Sequence, residues 1–159
     1  MSLWIEKYRP ANLDELIVND QNLQYIRTAV NKIRIIKKTI KKTDDRTNSS
    51  DKHNANVTNN SNIIISGPMS SGKTSAARCI AKEILKEHYA INVCHLNATD
   101  NKATKTLKNT IEIFCKKKVE NELPKIIIID ECDCMNKRIQ LIVSVFVESF
   151  AHTTKFIFV

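Results

Sequence analysis

The chain has 159 residues, of which 42% are hydrophobic and 26% charged, and it carries a formal net charge of +8 at pH 7. This length suits one domain with a substantial core and is too short for two ordinary domains. No apolar run is long enough to span a membrane, and the N-terminus lacks the apolar core of a signal peptide, so we expect a soluble, intracellular protein without membrane contact. The excess of positive charge favours polyanionic partners such as nucleic acid.

The first third of the chain predicts one long helix followed by an irregular segment. Residues 1–20 form a mixed lead-in that contains proline, and residues 21–42 place apolar side chains at helical spacing, which predicts an amphipathic helix. The dipole of this helix favours the lysines at its C-terminal end. Residues 43–61 are polar and nearly free of bulky apolar groups, so we predict a flexible insertion there.

The rest of the chain alternates short Ile- and Val-rich runs with helical patterns. Such alternation indicates an α/β fold in which a parallel sheet is flanked by helices on both faces. The predicted strands are 62–66, 91–96, 125–130 and 155–159, and the predicted helices are 73–88, 102–118 and 136–150.

A phosphate-binding loop is predicted between the first strand and the helix that follows it. The stretch Gly67-Pro68-Met69-Ser70-Ser71-Gly72-Lys73-Thr74 matches G-x-x-x-x-G-K-[ST] in full and holds both glycines of the chain. Glycine lets the backbone curl so that successive N–H groups point at phosphate oxygens, and the positive end of the helix strengthens this field. We expect Lys73 to reach the β- and γ-phosphates of a nucleotide and Thr74 to ligate Mg²⁺.

A strand of four isoleucines, residues 126–129, ends in Asp130 and Glu131. A buried strand that ends in acids, downstream of a phosphate loop, is typical of the second half of a P-loop NTPase site. Asp130 would hold Mg²⁺, directly or through water, and Glu131 would orient and polarise the attacking water. The alternative for such an acidic pair is a solvated loop. Asp133 is expected to cap the next helix.

The five cysteines have no framework spacing and follow no export signal, so we predict reduced thiols. Cys132 and Cys134 form a C-x-C pair, which raises zinc binding as an alternative. A structural zinc site needs four ligands, usually from two such knuckles, and the sequence offers no second knuckle.

Several stretches together resemble one family, the AAA+ small subunits of the sliding-clamp loader, of the replication factor C type. Trp4-Ile5-Glu6-Lys7-Tyr8-Arg9-Pro10, followed by Leu13-Asp14-Glu15-Leu16, is similar to that family's W-V-E-K-Y-R-P…L-D-[DE]-[IL] box. Further similarities are Leu96-Asn97-Ala98-Thr99-Asp100 to L-N-A-S-D, Asp130-Glu131-Cys132-Asp133 to D-E-A-D, and Thr154-Lys155-Phe156-Ile157 to T-R-F-I-L. Because the resemblance covers the chain apart from the insertion, we assign residues 1–159 to one AAA+ ATP-binding domain, incomplete at its C-terminus.

The resemblance implies a set of residues that bind and turn over ATP. Tyr8, Arg9 and Pro10 would wrap the adenine, with Ile17 beside them. The catalytic residues would be Lys73 and Glu131, and the Mg²⁺ ligands would be Thr74 and Asp130. The loop residues that would hold the cofactor are Gly67, Pro68, Met69, Ser70, Ser71, Gly72, Lys73, Thr74 and Ser75.

The resemblance also implies partners. Subunits of this family form a ring with other clamp-loader subunits and use ATP to load a sliding clamp onto primed double-stranded DNA, in the nucleus or at another site of DNA replication. Lys102, Lys105 and Lys108 recur every three residues on one predicted helix face, where they would contact the DNA backbone. The alternative for these lysines is a solvated helix face.

The chain departs from the family most clearly at its last residues. Val18 replaces a glycine near the expected adenine site, and Val159 precedes the positions of the family's sensor asparagine, last strand, arginine finger and helical lid. We therefore expect a sheet without its last strand and with an exposed hydrophobic edge at 62–66. Because an arginine finger contributes about 10³–10⁵ in rate, we expect weak or no turnover by this chain alone. The alternative function is a non-catalytic, truncated nucleotide-binding remnant or interaction module.

Overall fold

The computed structural model describes residues 3–43, 61–99, 104–118 and 123–159. The helices are α1 (Trp4–Lys7), α2 (Asp20–Thr43), α3 (Lys73–Leu85), α4 (Tyr89–Asn92), α5 (Thr104–Lys116) and α6 (Lys137–Ser149). The strands are β1 (Ile63–Ile64), β2 (Val93–Asn97), β3 (Lys125–Asp130) and β4 (Thr154–Phe158). Residues 44–60, the body of the predicted insertion, lie outside the described residues, so its flexibility stays a prediction. Within the described ranges, no helix combines the length and the apolar character that a membrane crossing requires.

The four described strands form one parallel sheet in the order β1-β4-β3-β2. This confirms the predicted α/β class. Strand β1 pairs with β4 only at Ile63 and Ile64, so it is shorter than the predicted 62–66. It lies at one edge of the sheet, where 77% of the Ile64 surface is exposed. The expected hydrophobic edge is therefore present.

Two hydrophobic clusters cover the two faces of the sheet. Along β3, Ile126 and Ile128 belong to the cluster formed with α2 and α3, whereas Ile127 and Ile129 belong to the cluster formed with α5 and α6. Successive side chains of a strand point to opposite faces, so an uninterrupted run of isoleucine fills both layers. This arrangement holds the end of β3, and with it Asp130, in a fixed position.

The helix after the phosphate loop ends earlier than its sequence pattern predicts. Helix α3 stops at Leu85, where the next residue, Lys86, adopts a positive φ of 49° and leads into a 3-10 turn. Residues 89–92 are helical, so β2 begins at Val93 rather than at residue 91.

Helix α6 begins at Lys137 with Asn136 as its N-cap. The Asn136 Oδ1 atom accepts a hydrogen bond of 2.9 Å from the backbone N–H of Ile139. The prediction that Asp133 caps this helix is wrong, because Asp133 lies in the 3-10 turn Cys132–Cys134 and Asn136 occupies the capping position.

Two lysines are buried at the starts of neighbouring strands. The Lys125 ammonium donates to the backbone oxygens of Cys115 and Lys117 at the end of α5, and the Lys155 ammonium donates to Ala151 O just beyond α6. Burial lowers the pKa of both lysines. Each lysine therefore supplies hydrogen-bond donors to backbone carbonyls at or just beyond the end of a helix.

Candidate functional site

The phosphate loop and the acidic end of β3 meet at the C-terminal ends of the parallel strands. All four described strands are parallel, so the chain leaves β1 and β3 on the same side, which is where α/β sheets bind their ligands. The loop occupies the residues between β1 and Lys73, the first residue of α3. The two predicted halves of the site are thus adjacent although they are distant in sequence.

The two glycines of the loop have different structural roles. Gly72 adopts φ 86°, a left-handed conformation that favours glycine, and a Cβ atom there would have no neighbour within 4 Å. At Gly67, a Cβ atom would lie 3.2 Å from Ser71 Oγ. Gly72 is therefore favoured by its backbone conformation, whereas a Cβ atom at Gly67 would require only a small shift of the exposed Ser71 side chain. The left-handed conformation at Gly72 fits a loop whose backbone closes around a phosphate chain.

Lys73 folds back over the loop that precedes it. Its Nζ atom donates hydrogen bonds to Gly67 O at 3.1 Å and to Pro68 O at 2.9 Å. The ammonium group therefore lies above the loop backbone rather than in open solvent. Residues 67–72 are themselves exposed, with Met69 at 93%, so the loop surface is accessible to a ligand.

Thr74 and Asp130 are in direct contact across 56 residues of sequence. The Thr74 hydroxyl donates to Asp130 Oδ1 at 3.2 Å. The other carboxylate oxygen, Oδ2, lies 3.8 Å from His95 Nε2 on β2. A hydroxyl and a carboxylate are ligands that Mg²⁺ accepts, so the donor set fits the predicted metal role.

Glu131 directly follows β3 and has a strained backbone conformation. It adopts φ 55°, a conformation that costs a side-chain-bearing residue about 1–2 kcal/mol. Its N–H donates to Asp130 Oδ1 at 3.2 Å, and the next residue, Cys132, donates to Val159 O at 2.9 Å. Ala98 N donates to Asp130 O at 2.9 Å, so both neighbouring strands fix this turn. Glu131 itself is exposed.

The N-terminal segment packs against α3 through two of its predicted adenine-site residues. Arg9 Nη1 donates to Ser75 Oγ at 3.2 Å, and the carbonyl of Pro10 accepts from Cys79 Sγ at 3.3 Å. Tyr8 and Ile17 differ, since Tyr8 is 71% exposed and Ile17 fully exposed. The structure thus places Arg9 and Pro10 against α3, the helix that contains Ser75. The side chains of Tyr8 and Ile17 lie largely in solvent.

Three side chains near the site were not singled out from the sequence. Glu6 contacts both Arg9 and Arg78, and His95 lies beside Asp130. Burial lowers the pKa of His95, and the charge of Arg78 lowers it further, while Asp130 acts in the opposite direction. Their proximity depends on tertiary packing, because Arg78 meets Glu6 where the N-terminal segment packs on α3 and His95 meets Asp130 where β2 pairs with β3.

The remaining predicted residues are placed as follows. All five cysteines are free thiols, and no metal-ligating cluster of His, Cys, Asp or Glu occurs within residues 3–43, 61–99, 104–118 and 123–159. Of the predicted DNA-contacting lysines, Lys108 is exposed on α5, whereas Lys102 and the side chain of Lys105 lie outside the described part of the chain.

Comparison with known proteins finds a family and a group of relatives. The family model described as "ATPase family associated with various cellular activities (AAA)" matches residues 63–158. The chain is 32% identical over 159 residues to replication factor C subunit 4 of Saccharomyces cerevisiae, covering 98% of this chain and 41% of that protein. It is 31% identical over 159 residues to the replication factor C small subunit of Picrophilus torridus, covering 99% and 42%. With replication factor C subunit 2 of Arabidopsis thaliana it shares 30% identity over 157 residues, covering 96% and 39%. The chain therefore spans about two fifths of the length of these relatives.

Proposed function

This chain belongs to the ATPase family associated with various cellular activities, and from that premise we propose that it is the ATP-binding part of a sliding-clamp loader subunit acting in DNA replication. The observation that carries the proposal is the hydrogen bond from Thr74 to Asp130, which joins the phosphate loop to the acidic strand end. The names of the relatives, all of them replication factor C subunits, support the choice of this branch of the family. The N-terminal W-I-E-K-Y-R-P stretch supports it as well.

The proposed cofactor is ATP with Mg²⁺, which supplies a transferable phosphoryl group and a cation that offsets its charge. Lys73 would hold the phosphate oxygens in place of its two carbonyl partners, Gly67 O and Pro68 O. The Thr74 hydroxyl and the Asp130 carboxylate, which are within hydrogen-bonding distance of each other, would hold the cation. Glu131 lies one residue beyond Asp130 with an exposed carboxylate, so it can orient a water molecule and accept a proton from it.

The base of the nucleotide is proposed to lie against the N-terminal segment. Arg9 and Pro10 are tied to α3 by their contacts with Ser75 and Cys79, so they are positioned before the nucleotide arrives. Tyr8 and Ile17 are exposed and would close on the base as it binds. Ordering these two side chains costs conformational entropy, which reduces their net contribution to affinity.

The proposed partners are other subunits of the loader, a sliding clamp and primed double-stranded DNA, in the nucleus or at another site of DNA replication. A net charge of +8 and the exposed Lys108 on α5 support contact with the DNA backbone. Lys116 on the same helix is engaged with the carboxylate of Glu112 at 2.6 Å, so it offers a matched control.

The test is nucleotide-dependent binding to a fluorescent primed DNA, followed by anisotropy. We expect tighter binding with Mg-ATP than with Mg-ADP, and no difference between the nucleotides in Lys73→Ala. Lys108→Ala should weaken binding and lower the slope of log affinity against log salt by about 1, whereas Lys116→Ala should have a smaller effect. DNA affinity that ignores both the nucleotide and Lys108 would contradict the clamp-loader proposal.

Hydrolysis separates this proposal from a non-catalytic nucleotide-binding module. If the chain turns over ATP, Glu131→Gln should retain ATP binding and lose turnover by about 10²-fold or more. Nucleotide binding without any turnover, in the presence of the candidate partners, would favour the module.

A further inference from the structure

A cavity lies between the N-terminal segment, α3, the start of α4 and β2. Its volume is about 370 Å³, enough for a small polar ligand. Its walls are formed largely by charged and polar side chains, among them Glu6, Arg9, Arg78, Lys82, Tyr89 and His95.

The charge in this cavity is predominantly positive. Arg9, Arg78 and Lys82 carry full positive charges, and Glu6 is the carboxylate among the lining residues. Only 20% of the Arg9 side chain and 30% of the Arg78 side chain are exposed, so both guanidinium groups are partly shielded from water. Lys82 is held in the wall, with its ammonium 5.9 Å from the centre of the Tyr89 ring. An anion that enters this cavity meets cations in a setting of reduced dielectric, where their attraction is stronger than in water.

Glu6 already bridges the two arginines. Arg9 donates to it through Nη2 at 2.6 Å and through Nε at 3.3 Å, and Arg78 Nη1 lies 3.6 Å from its Oε2 atom. A planar guanidinium that binds two oxygens of one acid has the geometry with which arginine binds phosphate. The Glu6 side chain is itself 50% exposed, so it can leave without opening the core.

We propose that this cavity is a second anion site that takes a phosphate group, and that Glu6 occupies its two arginines until a phosphate displaces the carboxylate. The site does not use Lys73 or the loop glycines, but it shares Arg9 and Pro10 with the residues proposed to hold the base of ATP. Two contacts of its wall residues also connect it to the phosphate end of the nucleotide site. Arg9 also donates to Ser75, and His95 lies 3.8 Å from Asp130.

The test uses inorganic pyrophosphate as the probe and isothermal calorimetry as the measurement. The titrations are made on the 159-residue chain carrying Lys73→Ala, which removes the loop lysine. In this background Arg78→Leu and Lys82→Gln should each weaken pyrophosphate binding by about tenfold, because each removes a charge-assisted contact. Glu6→Gln should strengthen binding, because it removes the competing carboxylate. Arg138→Leu removes an exposed arginine of α6 and should change nothing.

The result that would overturn the proposal is pyrophosphate binding that is absent, or that is equally strong with and without Arg78 and Lys82 in folded variants. A weaker affinity in Glu6→Gln would also overturn it. A long-range field effect is tested by Mg-ATP titration of Lys82→Gln with Lys73 intact, where the proposal requires an ATP affinity within about twofold of wild type. Failure of Mg-ATP binding in the wild type would refute the proposed function and leave the pyrophosphate result standing.

The phosphate can come from a free anion or from a polynucleotide end. A short oligonucleotide with a 5′-phosphate, compared with its 5′-hydroxyl form, separates these sources. Arg78-dependent preference for the phosphorylated oligonucleotide identifies a DNA end as the ligand. Pyrophosphate binding without that preference identifies a free anion.

Discussion

Replacement of Gly72 by alanine tests whether the phosphate loop has the backbone conformation that the structure assigns to it. Gly72 precedes α3 with φ 86° and ψ 13°, and a Cβ atom there would meet no atom within 4 Å. A side-chain-bearing residue pays about 1–2 kcal/mol in the left-handed region. Alanine also lowers the conformational entropy of the unfolded chain, which stabilises the folded state by about 0.4–1 kcal/mol. The net loss in the free energy of unfolding should therefore be about 1 kcal/mol, and all of it should come from the backbone.

Urea unfolding followed by circular dichroism measures this loss. With a slope of about 2 kcal/mol per molar urea, the midpoint should fall by about 0.5 M. Gly72→Asn is the matched variant, because asparagine has a larger side chain but tolerates the left-handed region better. We expect it to lose less stability than Gly72→Ala. Equal stability of Gly72→Ala and wild type, or a greater loss for asparagine than for alanine, would refute the assigned conformation.

Three further predictions address the buried charge, the metal ligands and the sheet edge. Lys125→Met should cost about 1–3 kcal/mol at pH 7, since it leaves carbonyls at the end of α5 without a donor. Burial puts the folded-state pKa of Lys125 below its unfolded value, so the unfolded chain binds more protons between the two values. The difference in free energy of unfolding between wild type and Lys125→Met, measured with urea, should therefore grow as pH rises toward the ordinary lysine pKa. A difference that shrinks over this range would contradict the prediction. Thr74→Val should weaken Mg-ATP binding by about tenfold in calorimetry and leave metal-free ATP binding unchanged, because it removes the hydroxyl that contacts Asp130. Ile64→Lys should reduce self-association in light scattering at a cost below about 0.5 kcal/mol, since Ile64 is mostly exposed at a sheet edge. Ile63→Lys, at a residue that packs against the core, should destabilise far more.

The elements that the sequence predicts well are those whose signal is local. Strand β3 has the predicted bounds, because its isoleucine run is buried on both faces and ends at the first charged side chain. Strand β1 is shorter than predicted, since only Ile63 and Ile64 of the apolar run pair with β4, and a pairing partner is not visible in the local sequence. The end of α3 is set by the positive φ of Lys86, for which its residue type gives no signal. Asp133 and Asn136 are both good capping residues, and only the turn that begins at Glu131 decides which one is used.

The candidate site likewise contains contacts that the sequence predicts and contacts that depend on tertiary packing. The meeting of Thr74 with Asp130 could be predicted, because the loop motif and the acidic strand end each imply the other in a parallel sheet. The proximity of Arg78 to Glu6 could not be predicted from the sequence, because it depends on how the N-terminal segment packs on α3. His95 became relevant only once β2 was found beside β3, in a register that pairs Asn97 with Asp130.

The measurement that tests the account most directly is Mg-ATP binding to the purified 159-residue chain by isothermal calorimetry, with Lys73→Ala as the matched variant. Within the described part of the chain, the Lys73 ammonium donates to the loop carbonyls of Gly67 and Pro68 and is not buried in the core, so the variant should stay folded by circular dichroism. The account predicts saturable binding by the wild type that weakens by at least about tenfold in Lys73→Ala and also weakens when Mg²⁺ is removed. An ATP affinity that is unchanged in the folded Lys73→Ala variant would contradict the assignment of this loop as the nucleotide site.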